Sequence, residues 1–149
     1  MISEFKSEYR FLSNFYPCNI ELDGKLWTST EHYYAAMKNS DPAYQEGVRN
    51  LSSPAQAKKA GQLVVIREDW EQVKQDVMLK ALRAKFAPGS DLAVKLLATG
   101  YKILQEGNRW NDMYWGVCLN TGVGQNHLGK LLMQVRTELR GIHEDPDQF

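Results

Sequence analysis

Glu106 and Asp112 bracket the loop EGNRWNDMYWG (106–116), which also holds Trp110 and Trp115. Two carboxylates beside large aromatics suit a sugar-cleaving site, because apolar walls raise a carboxyl pKa and favour a general acid. The plainer reading is a polar loop that a Trp anchors to the core. Glu31 and Lys38, in TSTEHYYAAMKNS (28–40), form a second pair. Seven residues at about 100° each come close to two helical turns, so on a helix both lie on nearly one line. Tyr34 and Ala35 sit between them, and Tyr33, Ala36 and Met37 occupy the other face. An aligned Glu and Lys flanked by apolar groups is either a functional line or an exposed arrangement without contact.

Two further stretches offer binding chemistry. NTGVGQNHLG (120–129) sets glycines and Asn126 ahead of a helix, where backbone N–H groups could hold an anion. It is not the dinucleotide fingerprint, since His127 stands where a glycine is needed, and it lacks the lysine of a P-loop. Glycines at a strand–helix junction also serve simply to make the turn. FLSNFYP (11–17) frames Ser13 and Asn14 with Phe11, Leu12, Phe15 and Tyr16. Hydrogen-bonding groups between aromatics suit a sugar or base pocket, and equally a β-turn inside a hydrophobic cluster.

The elements that must position these residues can be read from local pattern. Residues 9–27 resemble a β-hairpin, with Ile20 and Leu22 alternating and Asp23-Gly24 as a type I′ turn. Thr28 and Glu31 have capping-box spacing at the start of the first helix. Asp41-Pro42 opens a helix over 41–51; Ser53-Pro54 opens another, with Gln56 at its third position and Gly61 ending it. The helix over 68–86 carries a stripe of Trp70, Val73, Val77, Ala81 and Ala84, widened by Met78 and Leu82. Arg83 and Lys85 sit near its end, where the helix dipole favours cations. A helix over 91–100 closes at Gly100, strands are expected at 101–106 and 113–120, and the last helix starts near Asn126. That helix presents Leu128, Leu131, Leu132, Val135 and Leu139 on one face, and a frayed tail is expected from about 142. The order predicts an α+β, helix-rich single domain over 1–149 with a small β-sheet.

Net charge is zero, from 18 basic and 18 acidic residues, which argues against capture of a nucleic-acid backbone as the main activity. No apolar run approaches the ~20 residues of a membrane span, and the N-terminus has no apolar signal-peptide core. His32, His127 and His143 are scattered, and Cys18 and Cys118 form no metal-ligand spacing. The expectation is a cytoplasmic protein with no metal, no cofactor, no membrane association and no obligate protein partner.

Taken in order, FLSNFYP, EHYYAAMK, DWEQVKQDVMLKALRAKF, ILQEGNRWNDMYWG and GQNHLGKLLMQVR resemble the NADAR superfamily of YbiA-like N-glycosidases across residues 9–136. One departure is the spacer before Asp112, which carries Arg109 and Trp110 and bears on substrate choice. The resemblance implies a helix-rich α+β domain that hydrolyses an N-glycosidic bond to ribose. The substrates it implies are phosphorylated riboflavin-biosynthesis intermediates or ADP-ribose on guanine, including in DNA. Such cleavage passes through an oxocarbenium-like ribose and needs negative charge, a proton for the departing nitrogen and a nucleophile. Glu31 then stabilises the cation or activates water, and Glu106 or Asp112 serves as the acid. Lys38 either holds Glu31 ionised or, as a neutral amine, forms a Schiff base with the opened sugar. Trp115 is the candidate stacking surface for the base. Arg10, Ser13, Asn14, Phe15, Tyr34, Gly116, Asn126 and Gly129 complete the candidate binding set. The alternative is a module that binds ADP-ribose or NAD without cutting it.

Overall fold

The computed structural model describes residues 1–144. The fold is α+β and helix-rich, as expected. The chain forms two compact units, Asn14–Lys85 and Met1–Ser13 together with the chain from Phe86 onward.

The first unit opens with a hairpin of β1 (Ile20–Leu22) and β2 (Lys25–Trp27), paired antiparallel with Ile20 opposite Trp27. Asp23 and Gly24 both take positive φ, 55° and 75°, as a type I′ turn requires. Four helices follow: α1 (Thr30–Ala36), α2 (Pro42–Arg49), α3 (Pro54–Leu63) and α4 (Trp70–Lys85). Asp41 and Ser53 cap α2 and α3 as their sequences predict, accepting the Ala43 and Gln56 N–H groups. At α1 the cap is Ser29 rather than Thr28: its hydroxyl accepts the His32 N–H at 3.1 Å, which places Glu31 at the second helical position. Every residue of α1 is buried, so this short helix is packed all round by α2, α3 and α4. The core joins Ile20, Leu22 and Trp27 of the hairpin to Tyr33, Ala35 and Ala36 of α1, with Val48, Ala57 and Ala81.

One sequence expectation fails here for a tertiary reason. Gly61 does not end α3, which runs on to Leu63. Gly61 is a point of close approach: a Cβ there would stand 3.1 Å from Ala35 Cβ and 3.3 Å from Lys38 Cδ. Lys85 ends α4 as expected but is buried, 3% exposed, instead of meeting the helix dipole from solvent. Its ammonium lies 5.7 Å from the centre of the Tyr16 ring, and burial pushes its pKa down to about 8, with Cys18 offsetting part of the drop.

That shift has a measurable consequence. The unfolded chain binds more protons than the native one between pH 8 and the ordinary lysine value of 10.5, so stability rises with pH across that window. A drop from 10.5 to about 8 corresponds to about 3 kcal/mol. Lys85→Met should abolish the rise. Urea midpoints of wild type and variant that change in parallel from pH 7.5 to 10 would show that burial does not perturb Lys85.

The second unit holds a 3₁₀ turn (Ser7–Leu12), α5 (Asp91–Ala98), α6 (His127–Glu144) and a parallel pair, β3 (Gly107–Asn108) with β4 (Val117–Cys118). Phe11, Leu12, Phe86, Leu96 and Leu104 are buried with the predicted α6 face of Leu128, Leu131, Leu132, Val135 and Leu139. Residues 9–12, expected in the hairpin, belong to the 3₁₀ turn. The strand expected at 101–106 is reduced to a bridge between Ile2 and Leu104, the one expected at 113–120 shrinks to β4, and β3 forms in the stretch just after 106, expected to be irregular. The small sheet is therefore two separate strand pairs. The helix α6 continues through 144, so residues 142–144 of the expected tail are helical, and the remainder lies outside the described residues. No helix among the described residues is long and apolar enough to cross a membrane.

Candidate active site

Glu31 and Lys38 owe their placement to two short-range events at the ends of α1. At its start, the Glu31 N–H donates to the Asn14 carbonyl at 3.2 Å, and the Thr30 hydroxyl donates to Asn14 Oδ1 at 2.8 Å. Asn14 thus ties the FLSNFYP segment to the first turn that carries Glu31. At its end, Met37 is the C-cap, so Lys38 lies just beyond the helix and not on it, as the two-turn spacing assumes. Its N–H still donates to the Ala35 carbonyl at 3.3 Å, and its ammonium donates to the Gly61 carbonyl at 3.4 Å. The missing side chain at Gly61 lets the Lys38 stem pass against α3.

Glu31 is 8% exposed. Lys38 is half-buried, with its ammonium 5.5 Å from the Tyr34 ring centre, and Tyr34 is tilted against Trp70 at 5.1 Å. Burial is the largest influence on the Lys38 amine and lowers its pKa; the Glu31 charge pulls it back up, while Lys58 and Lys74 push it further down. The net direction is downward. Opposed effects of burial and a carboxylate are legible in the sequence, but their balance is not. The arrangement is a buried carboxylate acting electrostatically on a partly desolvated amine, walled by aromatic rings. It is suited to an amine that attacks an electrophilic carbon.

In the other unit, Asn108 organises the loop that holds the remaining carboxylates. It is 1% exposed; its Nδ2 donates to Glu106 Oε2 at 3.0 Å and to the Asp112 carbonyl at 2.9 Å, and its Oδ1 accepts the Asp112 N–H at 3.0 Å. Asp112 Oδ1 accepts the N–H groups of Tyr114 and Trp115 at 3.1 and 3.0 Å, which fixes the turn leading into Trp115. Half-buried Trp115 packs edge-on against Tyr114 at 4.9 Å, and His127 stands 6.5 Å away. Gly116 makes room for Glu106, since a Cβ there would overlap Glu106 Oε2. Arg10 is exposed at the end of the 3₁₀ turn, whose C-cap is half-buried Ser13.

The glycine-rich turn is engaged differently from an anion cradle. The N–H groups of Gln125, Asn126, His127 and Leu128 all donate to carbonyls of residues 113–116. The Asn126 side chain donates to the Leu104 carbonyl at 2.9 Å and accepts the Glu106 N–H at 3.0 Å. A Cβ at Gly129 would overlap the Leu104 carbonyl. This turn stitches the loop of the carboxylates to α6 through the amides of residues 125–128. Sequence reasoning passed over Asn108, Lys58 and Lys74. Lys58 stands three residues before Gly61 and Lys74 four after Trp70, spacings that put each on the same helix face as a residue packed near Lys38 or Tyr34.

The chain belongs to the NADAR domain family, whose pattern it matches over residues 2–140, spanning both units. Among particular relatives, it is 46% identical over 134 residues to the N-glycosidase YbiA of Shigella sonnei (strain Ss046), covering 89% of this chain and 82% of that protein. It is 42% identical over 132 residues to a riboflavin biosynthesis protein of Vibrio vulnificus (strain YJ016), covering 87% of this chain and 35% of that one. The NMR structure of Escherichia coli YbiA superposes with a TM-score of 0.82 at 40% identity, covering 94% of this chain and 87% of that one.

Proposed function

We propose that this protein hydrolyses the N-glycosidic bond of a phosphorylated riboside, such as an early riboflavin-biosynthesis intermediate, using Lys38 as nucleophile and Glu31 as its electrostatic partner. The reaction class is that of an N-glycosidase, a hydrolase acting on N-glycosyl compounds, in line with curated relatives at 44–46% identity. The observation that carries the residue assignment is the Lys38 amine: half-buried, lowered in pKa and under the field of a buried carboxylate. A module that only holds a diphosphate gains nothing from burying that carboxylate near its ligand's charge.

In the proposed sequence, the C1–N bond breaks as the developing oxocarbenium ion is stabilised by the Glu31 carboxylate, and the electron pair leaves with the base nitrogen, which takes up a proton. Lys38 Nζ bonds to C1, the ring oxygen departs as a hydroxyl, and an imine forms. Water adds to the imine, the amine is released and the sugar is left as its free aldehyde. The relative named for riboflavin biosynthesis supports a small riboside over guanine-ADP-ribosylated DNA as the substrate, and such a substrate supports action in the cytoplasm.

A substrate panel read by mass spectrometry tests the reading. It should include the aminopyrimidine and diaminopyrimidinone riboflavin intermediates, guanine-ADP-ribosylated DNA and NAD. The expected result is free base plus ribose 5-phosphate from a riboflavin intermediate. Binding of ADP-ribose without cleavage of any member would replace the reading with a non-catalytic one, and cleavage of the modified DNA alone would move the substrate class.

A further inference from the structure

We propose that Asn39 is a positioning residue for the reaction: its side-chain amide fastens the backbone at Lys38 to the segment that follows α3 and so keeps the reacting amine in place. The proposal rests on the reading of Lys38 as nucleophile, and it names what fixes that amine.

Lys38 needs such support because it stands outside the helix. Met37 caps α1, so the regular hydrogen bonding that holds a helical residue from both sides stops before Lys38. The ammonium bond to the Gly61 carbonyl is long, 3.4 Å, and the lysine stem is flexible. The chain leaves α3 at Val64 in an extended conformation, φ −76° and ψ 152°, and then runs beside residues 38 and 39. Two hydrogen bonds join the stretches. The Arg67 N–H donates to the Lys38 carbonyl at 2.8 Å, and Asn39 Nδ2 donates to the Val65 carbonyl at 2.9 Å. Because they fall on consecutive residues, the two bonds together fix the backbone at Lys38, whereas one bond would leave it free to pivot. Val65 is 81% exposed, so its carbonyl and not its side chain makes the attachment.

The Asn39 amide is oriented from its other side. Its Oδ1 accepts the Asp41 N–H at 2.8 Å; an N–H only donates and the Val65 carbonyl only accepts, so the amide nitrogen must face Val65. The Asn39 carbonyl in turn accepts from Gln45 Nε2 at 2.8 Å. One half-buried residue thus ties together the end of α1, the start of α2 and the segment after α3. The Asp41 bond has a structural use, since Asp41 caps α2. The Val65 bond ends no helix and belongs to no strand. What it holds still is the residue before it, Lys38.

Asn39→Ser separates the two bonds. A serine hydroxyl still accepts the Asp41 N–H but is too short to reach the Val65 carbonyl. In this variant kcat should fall about 10-fold with KM little changed, a smaller loss than a 1 Å misplacement can cause, because the Arg67 bond remains. Asn39→Ala loses both side-chain bonds and should lose at least as much kcat, with a lower Tm. NMR titration of the Lys38 side chain reads the displacement without turnover. Burial is the largest influence lowering the Lys38 pKa, and the charges acting on it are those of Glu31, Lys58 and Lys74, none of which an uncharged replacement alters. A loosened Lys38 gains water, so its pKa should rise toward 10.5 in Asn39→Ser, the opposite sign from loss of the Glu31 carboxylate. An unmoved Lys38 pKa in the folded Ser variant overturns the proposal, whatever happens to Tm or kcat, and so does wild-type kcat in an enzyme whose Lys38 borohydride traps. Both results leave the N-glycosidase reading standing. A raised Lys38 pKa in Asn39→Ser, with no borohydride adduct in the wild type, upholds the positioning and removes Lys38 as nucleophile.

Discussion

Lys38→Arg is expected to lose turnover by roughly 1,000-fold or more while folding normally, the scale of removing a covalent nucleophile. A guanidinium keeps the positive charge but stays protonated and forms no imine. The Lys38 stem passes Gly61 on α3 and its ammonium lies 5.5 Å from the centre of the Tyr34 ring, a path that a second long cationic chain is expected to follow. In the wild type, borohydride added during turnover should reduce the imine to a stable secondary amine. The adduct mass should equal protein plus the sugar fragment and map to Lys38. Lys85 must be distinguished in that mapping, because burial pushes its own pKa down to about 8. An adduct at Lys85 would keep the chemistry and move the nucleophile. No adduct, together with appreciable activity in Lys38→Arg, would leave Lys38 as the electrostatic support of Glu31. The pH profile carries the same sign. The neutral amine attacks, so kcat/KM should climb with pH and level off below the ordinary lysine value of 10.5, since the Lys38 pKa is lowered.

Glu31→Gln should cost at least ~100-fold in turnover, the lower end of an acid–base or electrostatic contribution. The change is nearly isosteric. The Glu31 N–H bond to Asn14 and the Ser29 cap of α1 do not involve the carboxylate, so the fold should hold. Removing the carboxylate also removes the influence that raises the Lys38 pKa. The pH limb of the residual activity should therefore move to lower pH than in wild type. Wild-type turnover in a well-folded Gln variant would take Glu31 out of the mechanism. An unshifted limb with reduced turnover would separate Glu31 from Lys38 while leaving Glu31 a role of its own.

Local chemistry was legible wherever a residue answers only to its near neighbours. Asp41-Pro42 and Ser53-Pro54 open helices because a side-chain oxygen accepts an N–H two or three residues on, and Pro needs no donor there. Asp23-Gly24 turns the hairpin because both residues tolerate positive φ, and the leucine and valine spacing of α6 names its buried face. Tertiary structure decided the rest. Gly61 looks like a helix end, and only the approach of α1 makes it a contact point through which Lys38 passes. YKILQE has strand character, yet its backbone finds a single bridge, because strand formation needs a partner that local sequence does not supply. The glycines before α6 could hold an anion until carbonyls 113–116 claim their neighbours' amides. The sequence lines up Glu31 and Lys38 by spacing. Whether that amine sits in water or under a lowered pKa depends on its burial and on the charges of Glu31, Lys58 and Lys74. Burial and charge act through space, so they belong to the fold and not to the order of residues along the chain.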